Sequence, residues 1–497
     1  MISSFIREQK RYTQADLSAL LQCTAPETVT LIKKLKEYGV LKTVRATDTQ
    51  RSLSDLAEED VEVAEVISGS NDFLYVFPYV GVITIAGRVL KCYPKYLTSS
   101  APGRELKQVL KVLEQYSAKE QIIRMFHDTG EDSAFNLLAV MLFLLNDYYE
   151  NQLYINTQDI IEVDGSGETL WDKVVNETFP LLSSGRPYYP QLFTRRRVND
   201  DFDYFKRLHE CVLSLCTKEL RSADLLELFD LLPVELSDET LDDFGETDYI
   251  LYRLQNELNV QFNTRKQILL KTLYAYVAHS RHLDDVGSFS MFGTSSFHEV
   301  WETVCAEVLS DQLHTPLGLL KLPAPLNEKY DKDAKLISVI EKPRWVGFST
   351  DGTPFIHEAP ETLIPDLISL STEEGVCRFF ILDAKYYTIQ LEQGKPLRCQ
   401  PGVGDLTKQY LYQLAYEEFL REHAIKEVGN CFLMPTERAN IEVLGLAVMP
   451  MLTALGLRSI QIRLLPAAMM YDLYLNHKTL SIGALSLETA PTDTDGL

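Results

Sequence analysis

A chain of 497 residues is too long for one hydrophobic core and reads as about three domains. Its composition, 45% apolar and 24% charged, is that of an ordinary globular protein, and its longest apolar run, residues 137–145, is under half a bilayer span, which excludes a transmembrane helix. A net charge of −23 excludes a protein that coats nucleic acid on its own, since phosphate binding draws on a basic face, but it leaves room for local action on DNA.

Residues 1–11 contain no apolar signal-peptide core. The eight cysteines form no C-x-x-C pair, so the expectation is a cytoplasmic protein with reduced thiols and no structural zinc. His279 and His282, the tight histidine pair, read as surface residues of a helix.

Residues 1–46 read as a winged helix-turn-helix-like segment. A first helix is expected from about Gln14 to Leu21 and a second from about Pro26 to Tyr38, with Thr24 and Glu27 as a capping box and Gly39 as the stop. A β-prone stretch follows at 40–44. The second helix would offer Thr28, Thr30, Lys33 and Lys34 to a DNA groove. The same outline also suits a protein-docking module.

Residues 47–70 are polar and acidic, the composition of a linker. The segment 71–287 reads as a small antiparallel sheet at 73–97, followed by a mostly helical stretch. Lys91 and Lys95 in that sheet are expected to face solvent. A turn at 164–167 precedes a helix carrying Trp171. The run Arg195, Arg196, Arg197 reads equally as a phosphate contact or as a solvated basic turn. A second basic cluster lies at Arg265 and Lys266, while acid is concentrated at 58–60 and 236–248.

Within the segment 288–487, residues 365–387 pattern as a hairpin. Asp366 opens its first strand, and Asp383 and Lys385 follow the apolar run 379–382 of its second. Neighbouring strands bring the two carboxylates within a few ångströms, and alternation puts Lys385 on the same face as Asp383, with Ala384 turned away. Phosphodiester cleavage needs a divalent cation on hard oxygen ligands, an activated water and positive charge near the developing oxyanion. This set supplies such parts. Magnesium is the expected ion, with manganese as an alternative. Taken singly, Asp366 after a proline is turn chemistry and Lys385 an edge-strand gatekeeper; their joint order favours the catalytic reading.

The spacing Pro365-Asp366 … Asp383-Ala384-Lys385 resembles the PD-(D/E)xK nuclease superfamily. Upstream, the amphipathic helix at 295–309 carries Glu299 and Glu302, and the resemblance implies that one of them, by position Glu302, joins Asp366 and Asp383 at the metal. Downstream, a helix at 404–419 carries Gln409 and Gln413, of which Gln409 is the first choice as a catalytic group, and a strand follows at 429–437. Further stretches, 79–96, 165–189 and 401–416, resemble McrC-like proteins and LlaJI-type restriction endonucleases. That resemblance implies a DNA endonuclease subunit of a restriction or phage-defence system, oligomeric, working with a McrB-like AAA+ nucleotide-hydrolysing partner. The chain has no phosphate-binding loop of its own: Gly394-Lys395 is followed by Pro396 and lacks the upstream glycine spacing.

The expectation is thus a multidomain α+β protein with a winged-helix-like N-terminal segment, a small β-rich and helical middle region, a C-terminal restriction-endonuclease-like α/β core at 288–487 and a flexible tail at 488–497. A degenerate nuclease fold used for assembly or DNA binding, an autonomous endonuclease and an RNA-processing nuclease are the competing readings.

Overall fold

The computed structural model describes residues 2–45, 73–127, 136–199, 203–279, 289–373 and 375–488. The expected linker at 47–70, His282 and nearly all of the expected tail lie outside them.

The chain opens with a strand, β1 (Ile2–Arg7), which the sequence reading of 1–46 did not include. Helix α1 (Gln14–Leu21) starts behind Thr13, whose N–H donates to Asp16 Oδ2 at 2.8 Å while its hydroxyl accepts from the Asp16 N–H at 3.1 Å. Helix α2 (Ala25–Glu37) starts the same way, with the Thr24 N–H donating to Glu27 Oε2 at 2.9 Å. It ends at Gly39, whose φ of +69° suits glycine. Strand β2 (Lys42–Arg45) pairs antiparallel with β3 (Phe73–Val76), so a ribbon follows the helix pair. Strands β4 (Val80–Ile85) and β5 (Arg88–Tyr93) are joined by Ala86 and Gly87, both at positive φ, as a tight primed turn demands. Lys91 and Lys95 depart from expectation: they are only 5% and 7% exposed. Their stems are drawn inward because each ammonium finds an aromatic face, Phe5 for Lys91 and Tyr386 for Lys95. Helix α3 (Gly103–His127) follows.

The remaining elements in chain order are α4 (Leu137–Asn151), β6 (Thr157–Val163), β7 (Glu168–Thr169), α5 (Trp171–Glu177), β8 (Leu181–Ser183), β9 (Arg186–Tyr188), β10 (Phe193–Asn199), α6 (Tyr204–Ser222), α7 (Thr247–Val260), α8 (Thr264–Ala278) and β11 (Phe289–Thr294). Then come α9 (Phe297–Val308), β12 (Arg344–Phe348), β13 (Pro354–Glu358), β14 (Leu367–Glu373), β15 (Val376–Ala384), α10 (Val403–Glu422), β16 (Glu427–Thr436), β17 (Glu442–Ala447), α11 (Pro450–Thr453), β18 (Ile460–Pro466) and α12 (Ala467–Leu475). Strands β1, β5, β4 and β11 form one four-stranded sheet in that order.

Two compact units emerge. One comprises residues 1–3, 84–89 and 130–292; the other comprises 4–83, 90–129 and 293–497. The division cuts across the segments read from the sequence, because residues 71–83 and 90–129 belong with the C-terminal unit. In the first unit the apolar run at 137–145 lies in helix α4, whose side chains are mostly buried. Among the described residues no helix is long and apolar enough to cross a membrane. Strand β10 pairs antiparallel with β6 and β7. Arg195 and Arg196 lie on β10 rather than on a turn, and they pair with Glu168 at 2.9 Å and Glu162 at 3.1 Å. Arg265 is tied to the buried Asp147 at 2.7 Å, and Lys266 donates to the Ile155 carbonyl at 2.6 Å. Arg195, Arg196 and Arg265 are thus each paired with an acid.

In the second unit a five-stranded sheet runs β14-β15-β16-β18-β17. Strands β14 and β15 are antiparallel, β15–β16 and β16–β18 parallel, and β17 antiparallel to β18. A parallel neighbour requires a crossover, and α10 provides it between β15 and β16. The succession of helix, strand pair, helix and strand matches the order expected from the sequence. Phe379 and Ile381 point to the face covered by α10, where Tyr412, Tyr416 and Phe419 are buried with them, and the Phe379 and Tyr416 rings lie 5.1 Å apart. Gly429 leaves room for the Phe380 ring, since a Cβ there would come within 2.5 Å of it.

Candidate active site

The register of the β14–β15 hairpin pairs Leu367 with Leu382, which sets Asp366, one residue before β14, across from Asp383. Asp383 continues the alternation of Phe379 and Ile381, so it faces the α10 side of the sheet and is only 2% exposed. Asp366 Oδ2 accepts from the Ala384 N–H at 2.8 Å, a bond that fastens the carboxylate to the partner strand. Burial raises the Asp383 carboxyl well above the usual aspartate range, and the hydrogen bond and charge of Asp366 add to that against the pull of Lys385. Asp366 is raised as well, chiefly by burial. The two carboxyls thus behave as a pair that resists double ionisation.

Lys385 lies one residue beyond β15. Its Nζ is 3.0 Å from Asp383 Oδ1 and 3.4 Å from Asp405 Oδ1. Burial alone would lower the lysine, yet Asp383, Asp366 and Asp405 together hold it above the ordinary lysine range. Asp405, in the first turn of α10, also accepts from the Gly402 N–H at 2.9 Å. The sequence reading missed it, although an acid in the first turn of the following helix was a visible signal. The Lys385 N–H donates to the Leu433 carbonyl at 2.9 Å, and the same carbonyl accepts from the indole of the buried Trp301 at 3.1 Å. One backbone oxygen of β16 therefore fixes both the lysine and helix α9.

Helix α9 presents Glu302 to this group. Its carboxyl is raised to about 7 by burial, with Asp383 and Glu299 adding and Lys385 opposing. Glu299 is exposed beside His298, so of the two glutamates Glu302 is the one in electrostatic reach of the aspartates. Gln409 lies in the interface between α10 and the sheet. It is 0% exposed, and its amide donates to the Ile381 carbonyl at 3.1 Å and to Asn430 Oδ1 at 2.7 Å. It braces β15 against β16 from the α10 side of the sheet, the side that Asp383 faces. Gln413 accepts from the Arg458 N–H at 2.9 Å. On α2, Thr28 is 0% exposed and donates to the Thr24 carbonyl at 2.9 Å. It cannot offer itself to a groove. Thr30 and Lys33 are exposed and Lys34 is half-buried.

The donor set suits a hard cation in one respect and departs from expectation in another. Asp383 Oδ1 is buried, and Lys385 Nζ lies 3.0 Å from it. Such an oxygen beside a second carboxylate is the chemistry of a magnesium ligand. Among the described residues, however, no three His, Cys, Asp or Glu side chains converge into a metal-holding set. The triad Asp366, Asp383 and Glu302 is not assembled: three carboxylates at one point repel one another, and here the ammonium stands against Asp383 instead. Two carboxylates with waters suffice for magnesium, which keeps several of its own.

Residues 79–454 match the LlaJI restriction endonuclease family. A Bacillus subtilis (strain 168) protein named type II restriction enzyme BsuMI component YdjA is 29% identical over 420 residues, 82% of each chain. Among solved structures, the refined half-complex from a tetradecameric assembly of Thermococcus gammatolerans McrB AAA+ hexamers with bound McrC aligns over 95% of this chain and 99% of that one, at 13% identity and a TM-score of 0.35. The Thermococcus gammatolerans McrBC complex aligns over 60% and 84%, at 13% identity and a TM-score of 0.24. Likenesses at such TM-scores carry no functional assignment.

The raised Glu302 carboxyl has a consequence for stability. Its folded pKa of about 7 lies above the ordinary 4.5, so folding favours its neutral form. That contribution is present below pH 4.5 and is lost as pH rises through 7. In chelator, the melting temperature of Glu302→Gln should therefore gain on that of the parent across this window. A difference that stays constant with pH would show that Glu302 titrates as an ordinary exposed carboxyl.

Proposed function

Since the chain belongs to the LlaJI restriction endonuclease family, we propose that it is the DNA-cutting subunit of its restriction system, a magnesium-dependent endonuclease of the PD-(D/E)xK type. The observation that carries this reading is the buried Asp383, with its Oδ1 3.0 Å from Lys385 Nζ and Asp366 opposite it on the hairpin. A subunit used only for assembly has no need of two carboxylates in a core, where each ion costs several kcal/mol, of order 2 or more after relaxation.

Asp366 and Asp383 are the residues that would hold magnesium, with Glu302, in electrostatic reach of both, left to act on a bound water. The ion, when bound, supplies a Lewis acid for the phosphoryl oxygen and an acidified water. Lys385 keeps its proton, because three carboxylates surround it, and so acts by charge and hydrogen-bond donation to the scissile phosphate rather than as a base. Glu302, titrating near neutrality, is better matched to accept a proton from water.

The reading extends to an AAA+ partner of the McrB kind, in an oligomeric assembly. Three observations support it. The sequence has no nucleotide-binding loop. The Bacillus relative is by name one component of an enzyme. The first unit also exposes bulky apolar side chains along one stretch: Trp171 at 58%, Phe179 at 93%, Leu181 at 64% and Leu182 at 77%. The helix pair at the N-terminus is proposed to touch DNA through Thr30, Lys33 and Lys34 on the outer face of α2.

Three measurements bear on this function. Lys385→Ala should cut DNA about 100- to 1000-fold more slowly than the parent while melting at a similar temperature; a folded Lys385→Ala protein that cuts normally would remove the lysine from the site. The chain alone, with magnesium, should give weak unspecific nicking, and robust cutting should require the partner and hydrolysable nucleotide. Efficient sequence-specific cleavage without them would mark an autonomous endonuclease. Finally, Lys33→Ala with Lys34→Ala should flatten the salt dependence of DNA affinity by about one to two units of slope, whereas an unchanged slope would assign α2 to protein docking.

A further inference from the structure

The last sheet hydrogen bond of β15 is made by Lys385, after which the strand is released: the Tyr387 N–H turns back to the Lys385 carbonyl at 2.9 Å. A lysine has a long stem with roughly 2 kcal/mol of rotamer entropy, and a reacting group must be held within about half an ångström. Something must therefore fix the backbone just beyond the ladder.

Tyr386 is that fixture. It is 6% exposed, and its hydroxyl donates to Glu8 Oε2 at 2.5 Å. Its ring meets Phe297, the first residue of α9, at 5.4 Å and Tyr96 at 6.4 Å, with Lys95 Nζ 4.5 Å from the ring centre. The same Glu8 oxygen accepts from the Lys95 N–H at 3.0 Å, and the Glu8 N–H donates to the Tyr93 carbonyl at 2.9 Å. Glu8 itself is only 4% exposed. A buried carboxylate is costly to place, and an apolar side chain would fill the same space without that cost. Its two acceptor bonds instead join three distant stretches, 8–9, 93–96 and 386, at the residue beside the lysine.

We propose that Glu8 is a positioning residue of the nuclease site: through the Tyr386 hydroxyl it sets the backbone that presents Lys385, and through the Tyr386 ring it steadies the start of the helix that carries Glu302. The N-terminal strand is on this view part of the catalytic apparatus, although it lies some 380 residues away in sequence. The inference rests on the nuclease reading above.

The test uses the full chain with its partner subunit, magnesium, nucleotide and plasmid DNA. Glu8→Ala and Tyr386→Phe should each lower the single-turnover cleavage rate about 10- to 100-fold, with the KM for DNA unchanged. Glu8→Gln should recover most of the rate, since an amide oxygen accepts the same two bonds. Glu8→Ala combined with Tyr386→Phe should be no slower than the worse single variant. If Glu8→Ala fails to fold, Tyr386→Phe, which removes one hydroxyl, carries the test alone. Variants that lose melting temperature but cut at the parental rate overturn the inference and leave the nuclease reading intact. A parent chain that cuts under no condition overturns both.

Discussion

Two aspartates that face one another across the end of a buried hairpin cannot both be charged at ordinary cost, because the medium around them solvates neither. At a separation of about 4 Å and an effective dielectric of about 20, two unit charges interact by roughly 4 kcal/mol. Asp383 accordingly keeps its proton far longer than an aspartate in water, and the ammonium of Lys385 stands against it in partial relief. Much of the second unit serves this arrangement. The apolar run of β15 gives the aspartate a rigid strand, Gln409 and Asn430 brace that strand against β16, and Trp301 and Lys385 share one carbonyl of β16.

The hairpin was legible in the sequence because its chemistry is local. Alternation along one strand decides which residues share a face, and sixteen residues between Asp366 and Asp383 are few enough for a turn to set the register. Other assignments were open to the same kind of reasoning. On the 3.6-residue wheel of α9, Glu299 lies opposite the buried stripe of Phe297, Trp301, Val304 and Val308, while Glu302 lies on its flank. Thr28 recurs with Leu31, Ile32 and Leu35 on the buried face of α2, which is why it faces inward where Thr30 and Lys33 do not. Periodicity also places Gln409 on the stripe of Gln413 and Tyr416 against the sheet.

What lay out of reach depends on contacts between distant segments. Nothing in residues 1–11 states that β1 pairs beside β5, or that Glu8 meets Tyr386. Lys91 and Lys95 read as outward residues because a lysine normally is one. Only the aromatic faces of Phe5 and Tyr386, contributed from elsewhere, make the inward rotamer tenable. Asp405 shows the same limit from another side: its helix-capping role is local and visible, while its contact with Lys385 appears only once α10 is laid on the sheet.

The net charge of −23 argues against coating nucleic acid and leaves room for local action on DNA. The structure resolves this by scale. Arg195, Arg196 and Arg265 are matched by neighbouring acids. The positive charge at the hairpin, by contrast, is a single ammonium that three carboxylates compel to stay charged. A local field of that kind acts over the few ångströms at which a phosphate would be handled, whereas long-range steering is screened within about a Debye length of roughly 8 Å at physiological salt. On the proposed reading, an acidic chain cuts DNA with one well-held cation, and delivery of the duplex falls to another surface. The acids that keep Lys385 protonated are three aspartates at the site itself, so the charge of the site is set apart from the charge of the chain.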